Sequence, residues 1–277
     1  MTEAPPLAGV MGWPVGHSLS PRLHGHWLAR YGIAGYYVPL TVRPEDVATA
    51  LATLPRLGFR GVNVTIPHKE AALALAARAT PTAELIGAAN TLVFDDEGGF
   101  TADNTDASGF IRNLRQSAPD WRAADGPALV LGAGGASRAV IAALLGDGAP
   151  EIRLANRTRS RADSLRDHFG ERIVVIDWQE AGDAAAGTAT IANTSALGMG
   201  EDKGSPIRLG AAPAAALVTD IVYTPLLTPF LVEARARGLR VVDGLGMLLH
   251  QAAPGFEQWF GRAPEVDEAL RQAVLAP

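Results

Sequence analysis

The residue run with the most definite chemistry is Gly132-Ala133-Gly134-Gly135-Ala136-Ser137-Arg138, which directly follows the apolar stretch Ala128-Leu129-Val130-Leu131. A glycine turn between a strand and a helix aims backbone N–H groups and the helix dipole at a pyrophosphate. Gly132 allows the tight turn and Gly134 lets the backbone approach the phosphates, although Ser137 stands where the G-x-G-x-x-G fingerprint has its third glycine. The end of the next strand reads Asn156-Arg157-Thr158-Arg159, without the Asp or Glu that would bond a free ribose 2′-hydroxyl. A guanidinium there can pair with a 2′-phosphate bidentately and lie against adenine, so the expected cofactor is NADP(H), held by Arg157 with help from Arg161. The competing reading, arginines that merely solvate a helix start, gains little from the dipole.

A second group lies in the first third of the chain. Gly16-His17-Ser18-Leu19-Ser20-Pro21 puts two hydroxyls ahead of a helix beginning at Pro21. Ser20 alone reads as an N-cap, whereas Ser18 lies outside the cap position, and the pair suits a carboxylate ligand. In Asn63-Val64-Thr65-Ile66-Pro67-His68-Lys69, alternation puts Asn63 and Thr65 on one strand face. Lys69 falls just beyond the strand's carboxyl end, where α/β sheets hold ligands. A lone lysine at a helix start is ordinarily a solvated charge, so its weight comes from these neighbours. Gly87-Ala88-Ala89-Asn90-Thr91 adds an amide beside a strand, and Ala102-Asp103-Asn104-Thr105-Asp106 adds polar groups at a domain junction. His17 and His68 read as loop or structural positions, and no Ser-His-Asp arrangement suggests a hydrolase.

The elements that position these groups follow from period and punctuation. Short apolar strands at 8–11, 36–40 and 61–66 alternate with amphipathic segments at 21–31, 44–54 and 69–79, the rhythm of a parallel α/β sheet. Strands at 91–94 and 99–102 flank a turn at 95–98 and are expected to add an antiparallel edge. After a helix at 107–116 and a connection at 117–127, a second unit begins. Its strands are read at 128–131, 152–154 and 173–176 and near 190, 218 and 241, with helices at 137–145 and 161–169 between the first three, which makes a doubly wound sheet. Residues 234–238 and 241–244 close that sheet, and 245–260 reads as a helix with a kink at Pro254-Gly255.

At 277 residues the chain has room for two domains with their own cores. A content of 48% hydrophobic and 19% charged residues places it among globular catalysts rather than disordered tails. A net charge of -5 without a basic run lacks the footprint of a nucleic-acid binder. There is no cysteine, no H-E-x-x-H, and the one close histidine pair, His24 and His26, diverges on a helix, so no metal is expected. No apolar run is long enough to span a membrane and the N-terminus has no basic leader, so no membrane association and cytoplasmic residence are the expectations.

Taken in order, these segments resemble the shikimate dehydrogenase family over nearly the whole chain. To the motifs above are added Asn193-Thr194-Ser195 with Gly198-Met199, Asp220-Ile221-Val222-Tyr223 with Thr228-Pro229, and Gly246-Met247-Leu248-Leu249-His250-Gln251. The resemblance implies an N-terminal α/β substrate domain (1–105 and 245–277), a Rossmann-type NADP-binding domain (106–244), and C-terminal helices that return to the first. It implies interconversion of shikimate and 3-dehydroshikimate in chorismate and aromatic amino acid biosynthesis, by a monomer or homodimer. Lys69 and Asp106 would be the catalytic pair, and Ser18, Ser20, Asn63, Thr65, Asn90, Tyr223 and Gln251 would surround shikimate with them. Gly132, Ala133, Gly134, Gly135, Ala136, Asn156, Arg157, Thr158, Arg161 and Thr194 would hold the cofactor, and Ile221, Gly244 and Met247 would line the nicotinamide pocket. The chemistry agrees: hydride addition to a ketone leaves charge on oxygen, which an ammonium can stabilise and protonate. Three other readings share the fold. A quinate and shikimate enzyme using NAD is disfavoured by Arg157 and by serine at both 18 and 20. A non-catalytic shikimate sensor is disfavoured by Lys69, Asp106 and the lack of a DNA-reading segment. An enzyme for an amino-substituted ring would differ in pocket size.

Overall fold

The computed structural model describes residues 4–199 and 204–276. The chain divides into two compact units, Met1–Asp106 with Leu248–Pro277, and Ala107–Met247.

The first unit opens with strand β1 (Leu7–Gly12), helix α1 (Ser20–Tyr31) and strand β2 (Tyr36–Thr41). Helix α2 (Val47–Thr53), flanked by 3-10 turns, leads to β3 (Phe59–Val64) and the short helix α3 (Lys69–Ala74). Strand β4 (Arg78–Ala79), helix α4 (Pro81–Ile86) and the hairpin β5 (Thr91–Phe94) and β6 (Phe100–Asp103) complete the series. The sheet order is β2-β1-β3-β5-β6-β4. β1 is parallel to β2 and β3, whereas β5 runs antiparallel to both β3 and β6.

Two expectations need correction here. The hairpin is interior to the sheet, because β4 covers its outer strand in parallel and takes the edge. And 69–79 is not one helix: α3 ends at Ala74, and a separate helix starts where Thr80 accepts from the Ala83 N–H, with Pro81 in its first turn and Gly87 closing it at φ 72°. Between the two helices Arg78 and Ala79 pair with β6 as β4, a long-range contact that the local period does not carry.

The second unit begins with α5 (Asp106–Ser117), whose first residue still belongs to the first unit. Then come β7 (Ala128–Leu131), α6 (Gly135–Gly146), β8 (Ile152–Ala155), α7 (Arg159–Phe169), β9 (Ile173–Ile176), β10 (Thr190–Asn193), β11 (Leu217–Asp220), α8 (Pro229–Ala236) and β12 (Arg240–Val242). All its pairings are parallel, in the order β12-β11-β10-β7-β8-β9. This is the doubly wound Rossmann arrangement, with its switch point between β7 and β10. Both faces are covered. Ala128 and Val130 of β7 pack in one core with Phe110, Leu144 and Ile152, and Leu129 and Leu131 pack in another with Ile191, Phe230 and Leu231. Burial of alternate residues on opposite faces is why these strands read as unbroken apolar runs.

Helix α9 (Leu245–Phe260) is one helix that contains Pro254, with the bounds expected. Helix α10 (Glu268–Leu275) returns to the first unit and packs on α1, with Leu270 and Val274 fully buried.

Candidate active site

Lys69 opens α3 just past β3, and Asp106 opens α5 just past β6. The two meet: Lys69 Nζ donates to Asp106 Oδ2 at 2.5 Å, with only 14% and 7% of their side chains exposed. An acid in the first turn of a helix is favoured by the dipole, whereas the lysine is not, so the lysine's place rests on its partner.

The carboxylate is itself held. Asn90 Nδ2 donates to Asp106 Oδ1 at 2.8 Å and also faces Thr105 Oγ1 at 3.0 Å and Gln251 Oε1 at 3.1 Å. Asn90 Oδ1 accepts from the Thr105 N–H at 2.8 Å and from the Thr91 hydroxyl at 3.0 Å. Thr105 Oγ1 in turn donates to the Gln251 backbone carbonyl of α9 at 2.8 Å. Asn104 accepts from the Asp106 N–H and donates to Ala88 O. Thus Lys69, Asn90, Asp106 and Gln251 form one connected cluster. Thr91, Asn104 and Thr105, which were quoted in the motifs without a role, are its frame. Their signal was in the sequence: short polar residues, buried at a strand end, must be hydrogen-bonded.

A neighbouring cluster surrounds Asn63. The buried Tyr37 hydroxyl donates to Asn63 Oδ1 at 2.7 Å, and Asn63 Nδ2 donates to Asn90 O and Thr91 Oγ1. Nothing in the sequence around Tyr37 marked it. Burial pushes its phenol well above the ordinary range, with a Ser20 hydrogen bond opposing. Ser20 is the first helical residue of α1 and is buried, and its hydroxyl does not cap the helix. Ser18 Oγ accepts from the Ser20 N–H at 3.3 Å. Thr65 lies just past β3, half-buried, its N–H bonded to Met11 O. His68 is buried with its ring on Val42 O, a structural place, and His17 is exposed. Among the described residues no group of three or more His, Asp or Glu could hold a metal.

In the second unit, Gly132 has φ 112°, and a Cβ there would lie 2.9 Å from Thr194 Oγ1, so both its conformation and its packing require glycine. Ser137 is explained by its contacts. Its hydroxyl accepts from the Gly134 N–H at 3.0 Å and meets Thr194 Oγ1 at 2.6 Å. Thr194 Oγ1 also donates to Leu131 O. The third-glycine position therefore fastens the turn to β10, and Thr194 spends its hydroxyl inside the protein. Gly134 is exposed, with no protein atom within 4 Å of where a Cβ would be, and the first-turn amides of α6, Gly135 and Ala136 included, have no intrahelical acceptor. Ala133 flanks them, half-buried. This concave, donor-rich turn fits a pyrophosphate.

Asn156 Nδ2 donates to Thr158 O, which shapes the turn bearing the exposed Arg157. Arg159 is taken by Asp177 and by Asp163 at 4.0 Å. Among the described residues Arg157 and Arg161 form no ion pair. Ile221 and Tyr223 follow β11, both half-buried, and Met247 is a core residue of the second unit. Gly244 has a packing reason of its own: a Cβ there would lie 2.5 Å from the Ile221 backbone carbonyl.

Comparison with known proteins matches three stretches of the chain. Residues 10–92 fit the model of the shikimate dehydrogenase substrate binding domain, 115–196 that of shikimate / quinate 5-dehydrogenase, and 244–275 that of the shikimate 5'-dehydrogenase C-terminal domain. The shikimate dehydrogenase (NADP(+)) of Paracoccus denitrificans is 62% identical over 98% of this chain and 96% of that protein. The shikimate 5-dehydrogenase of Thermus thermophilus, solved with NADP(H) and shikimate, has 39% identity and a TM-score of 0.86 over 97% of this chain and 98% of that one. A quinate dehydrogenase of Corynebacterium glutamicum, solved with NAD, has 31% identity and a TM-score of 0.89 over 97% and 98% of the respective chains.

Proposed function

The chain belongs to the shikimate dehydrogenase family, and from that premise we propose which of its residues carry the reaction. It is an NADP-dependent oxidoreductase that interconverts 3-dehydroshikimate and shikimate, a step toward chorismate and the aromatic amino acids. We assign the substrate to the unit Met1–Asp106 with Leu248–Pro277, and the nucleotide to Ala107–Met247.

The observation that carries the mechanism is the buried Lys69 and Asp106 pair at 2.5 Å. When bound, NADPH supplies the hydride for the ring ketone. Lys69 then faces the oxygen on which charge develops, stabilises it and gives up a proton from Nζ. Asp106 keeps the ammonium in place and accepts from a ring hydroxyl. Asn63, Thr65, Asn90 and Gln251 complete the polar wall around the ring, and a wall built for hydroxyls rejects rings that lack them. Ser18, Ser20 and Tyr223 take the ring carboxylate. Gly132 to Ala136 hold the pyrophosphate with Thr194 behind the turn, Asn156, Arg157, Thr158 and Arg161 take the adenosine half, and Ile221, Gly244 and Met247 the nicotinamide half.

Lys69→Ala is expected to lower turnover by about a hundredfold or more, as for loss of a general acid, while shikimate affinity changes far less. Steady-state kinetics together with calorimetry decide it, and unchanged turnover would remove lysine from the mechanism.

Among the described residues no helix is long and apolar enough to cross a membrane. We place the enzyme in the cytoplasm, as a monomer or homodimer without a nucleic-acid partner, in keeping with its net charge of -5.

A further inference from the structure

Asp220 is fully buried at the carboxyl end of β11, and the reaction above gives it no task. Its two oxygens gather donors from the end of β10 and from the loop after β11. Oδ1 accepts from Asn193 Nδ2 and from the Val222 N–H, both at 3.0 Å, and Oδ2 accepts from the Thr228 hydroxyl at 2.7 Å. Val222 and Thr228 are the two ends of the loop between β11 and α8, so one carboxylate closes that loop. Thr228 also caps α8, accepting from the Leu231 N–H. Asn193 is the register partner of Asp220 on β10. It extends the same tether into the loop after β10, its Oδ1 accepting from the N–H and hydroxyl of Ser195, its Nδ2 reaching Leu197 O at 3.2 Å.

A carboxylate is an expensive way to do this. Burial pushes the Asp220 carboxyl up to about 6, against the three hydrogen bonds that favour its ionised form. Stability alone would favour a neutral residue at this position. What an ionised carboxylate adds is fixed geometry, because it accepts only, and all its donors must converge.

We propose that Asp220 is a positioning residue that clamps the β11–α8 loop, and through Asn193 the β10 loop, so that Ile221 and Tyr223 meet the nicotinamide and the substrate in one fixed arrangement. The proposal rests on the reading of Ile221 and Tyr223 as ligand contacts. It makes the clamp specific to the nicotinamide and substrate end. The adenosine end, assigned above to Asn156, Arg157 and Arg161 after β8, makes none of the Asp220 or Asn193 contacts.

The test compares Asp220→Ala and Thr228→Val with Asp220→Asn, which keeps one carbonyl acceptor. Binding of NADP and of adenosine 2′,5′-bisphosphate is measured by calorimetry, and shikimate KM by steady-state kinetics. Asp220→Ala and Thr228→Val should weaken NADP and raise shikimate KM about tenfold, the scale of one lost charged hydrogen bond. The bisphosphate should bind within about twofold of the parent chain, since it reaches only the adenosine end. Asp220→Asn should recover only part of the loss, since its one carbonyl keeps the Asn193 and Val222 donors while its amide nitrogen cannot accept from Thr228. Should Asp220→Ala fail to fold, Thr228→Val, which leaves the carboxylate in place, gives the same comparison. Equal weakening of NADP and bisphosphate would mean general loosening and overturns the clamp, and so would unchanged NADP and shikimate values. Tyr223→Phe tests the premise. If it leaves shikimate KM unaltered, the reading of the loop falls and the proposal with it. If it raises KM while Asp220→Ala and Thr228→Val do not, the clamp alone falls.

Discussion

Asn90 shows how far a buried polar group's behaviour is set by its neighbours. Its amide nitrogen faces three acceptors and its oxygen faces donors from Thr91 and Thr105, so its hydrogen-bonding capacity is largely used before any ligand arrives. Its leading effect is therefore on Asp106, whose second oxygen is the one left for Lys69. Asn90→Ala is expected to lower kcat by about 10- to 100-fold, the scale of a mispositioned acid–base group, with a smaller rise in shikimate KM. Steady-state kinetics would show the split, and a raised KM at constant kcat would return Asn90 to a purely substrate-binding role. Lys69, Asp106 and Asn90 stood out as polar residues at strand ends, where α/β sheets hold ligands, but their grouping came from the family resemblance. Tyr37 did not stand out, because it sits in an apolar strand, and its bond to Asn63 arises only when β2 and β3 are both laid beside β1.

At the scale of elements, legibility depended on whether a segment's signals were local. The strand, glycine turn and helix around Gly132 are contiguous and could be read directly, as could the Rossmann order once strands and crossover helices alternated. The edge strand β4 has two residues and owes its existence to pairing with β6, which no local pattern encodes. Helix α10 was likewise unmarked as a separate helix, yet it is firmly built. Asp267 caps it by accepting from the Leu270 N–H at 2.9 Å and pairs with Arg30 of α1 at 2.7 Å, while Trp27 donates to Glu265 O. The backbone bond and then Arg30 hold the Asp267 carboxyl below its ordinary range. A lowered carboxyl contributes stability above its unfolded value of 3.8 and loses it as pH falls through the folded value. Asp267→Ala should therefore destabilise the protein by about 1 kcal/mol at neutral pH, mostly as a lost cap. In urea melts the difference from the parent should shrink near pH 3 (about the acid end of carboxylate titration). A constant difference would mean that the ionised carboxylate is not what caps the helix.

Over the whole molecule, two buried titratable groups give the two units opposite responses to acid. In the first unit His24 is fully buried and stacked 3.8 Å from the Tyr37 ring, and among the described residues its ring nitrogens make no hydrogen bond of good geometry, only Asn63 opposing the effect of burial. Burial pushes its imidazole down to about 3. The folded chain thus refuses a proton that the unfolded chain accepts below 6.5, so stability is full above 6.5 and falls as pH drops toward 3. The gap amounts to on the order of 5 kcal/mol at its lower limit, comparable with the stability of a whole domain. Asp220, in the second unit, has a folded value near 6 against 3.8. Its contribution is full below 3.8 and is lost as pH rises through about 6, so mild acid relieves that unit while loading the other. Acid unfolding should begin in the unit that holds His24, and His24→Phe, which keeps an aromatic ring on Tyr37, should lower the acid midpoint. Tryptophan fluorescence would report it, since Trp27 and Trp259 lie within 6 Å of the His24 ring, at 5.7 and 5.8 Å. If the midpoint of His24→Phe coincides with that of the parent, proton uptake by His24 does not drive the transition, and the acid sensitivity comes from carboxylates, the buried Asp106 included.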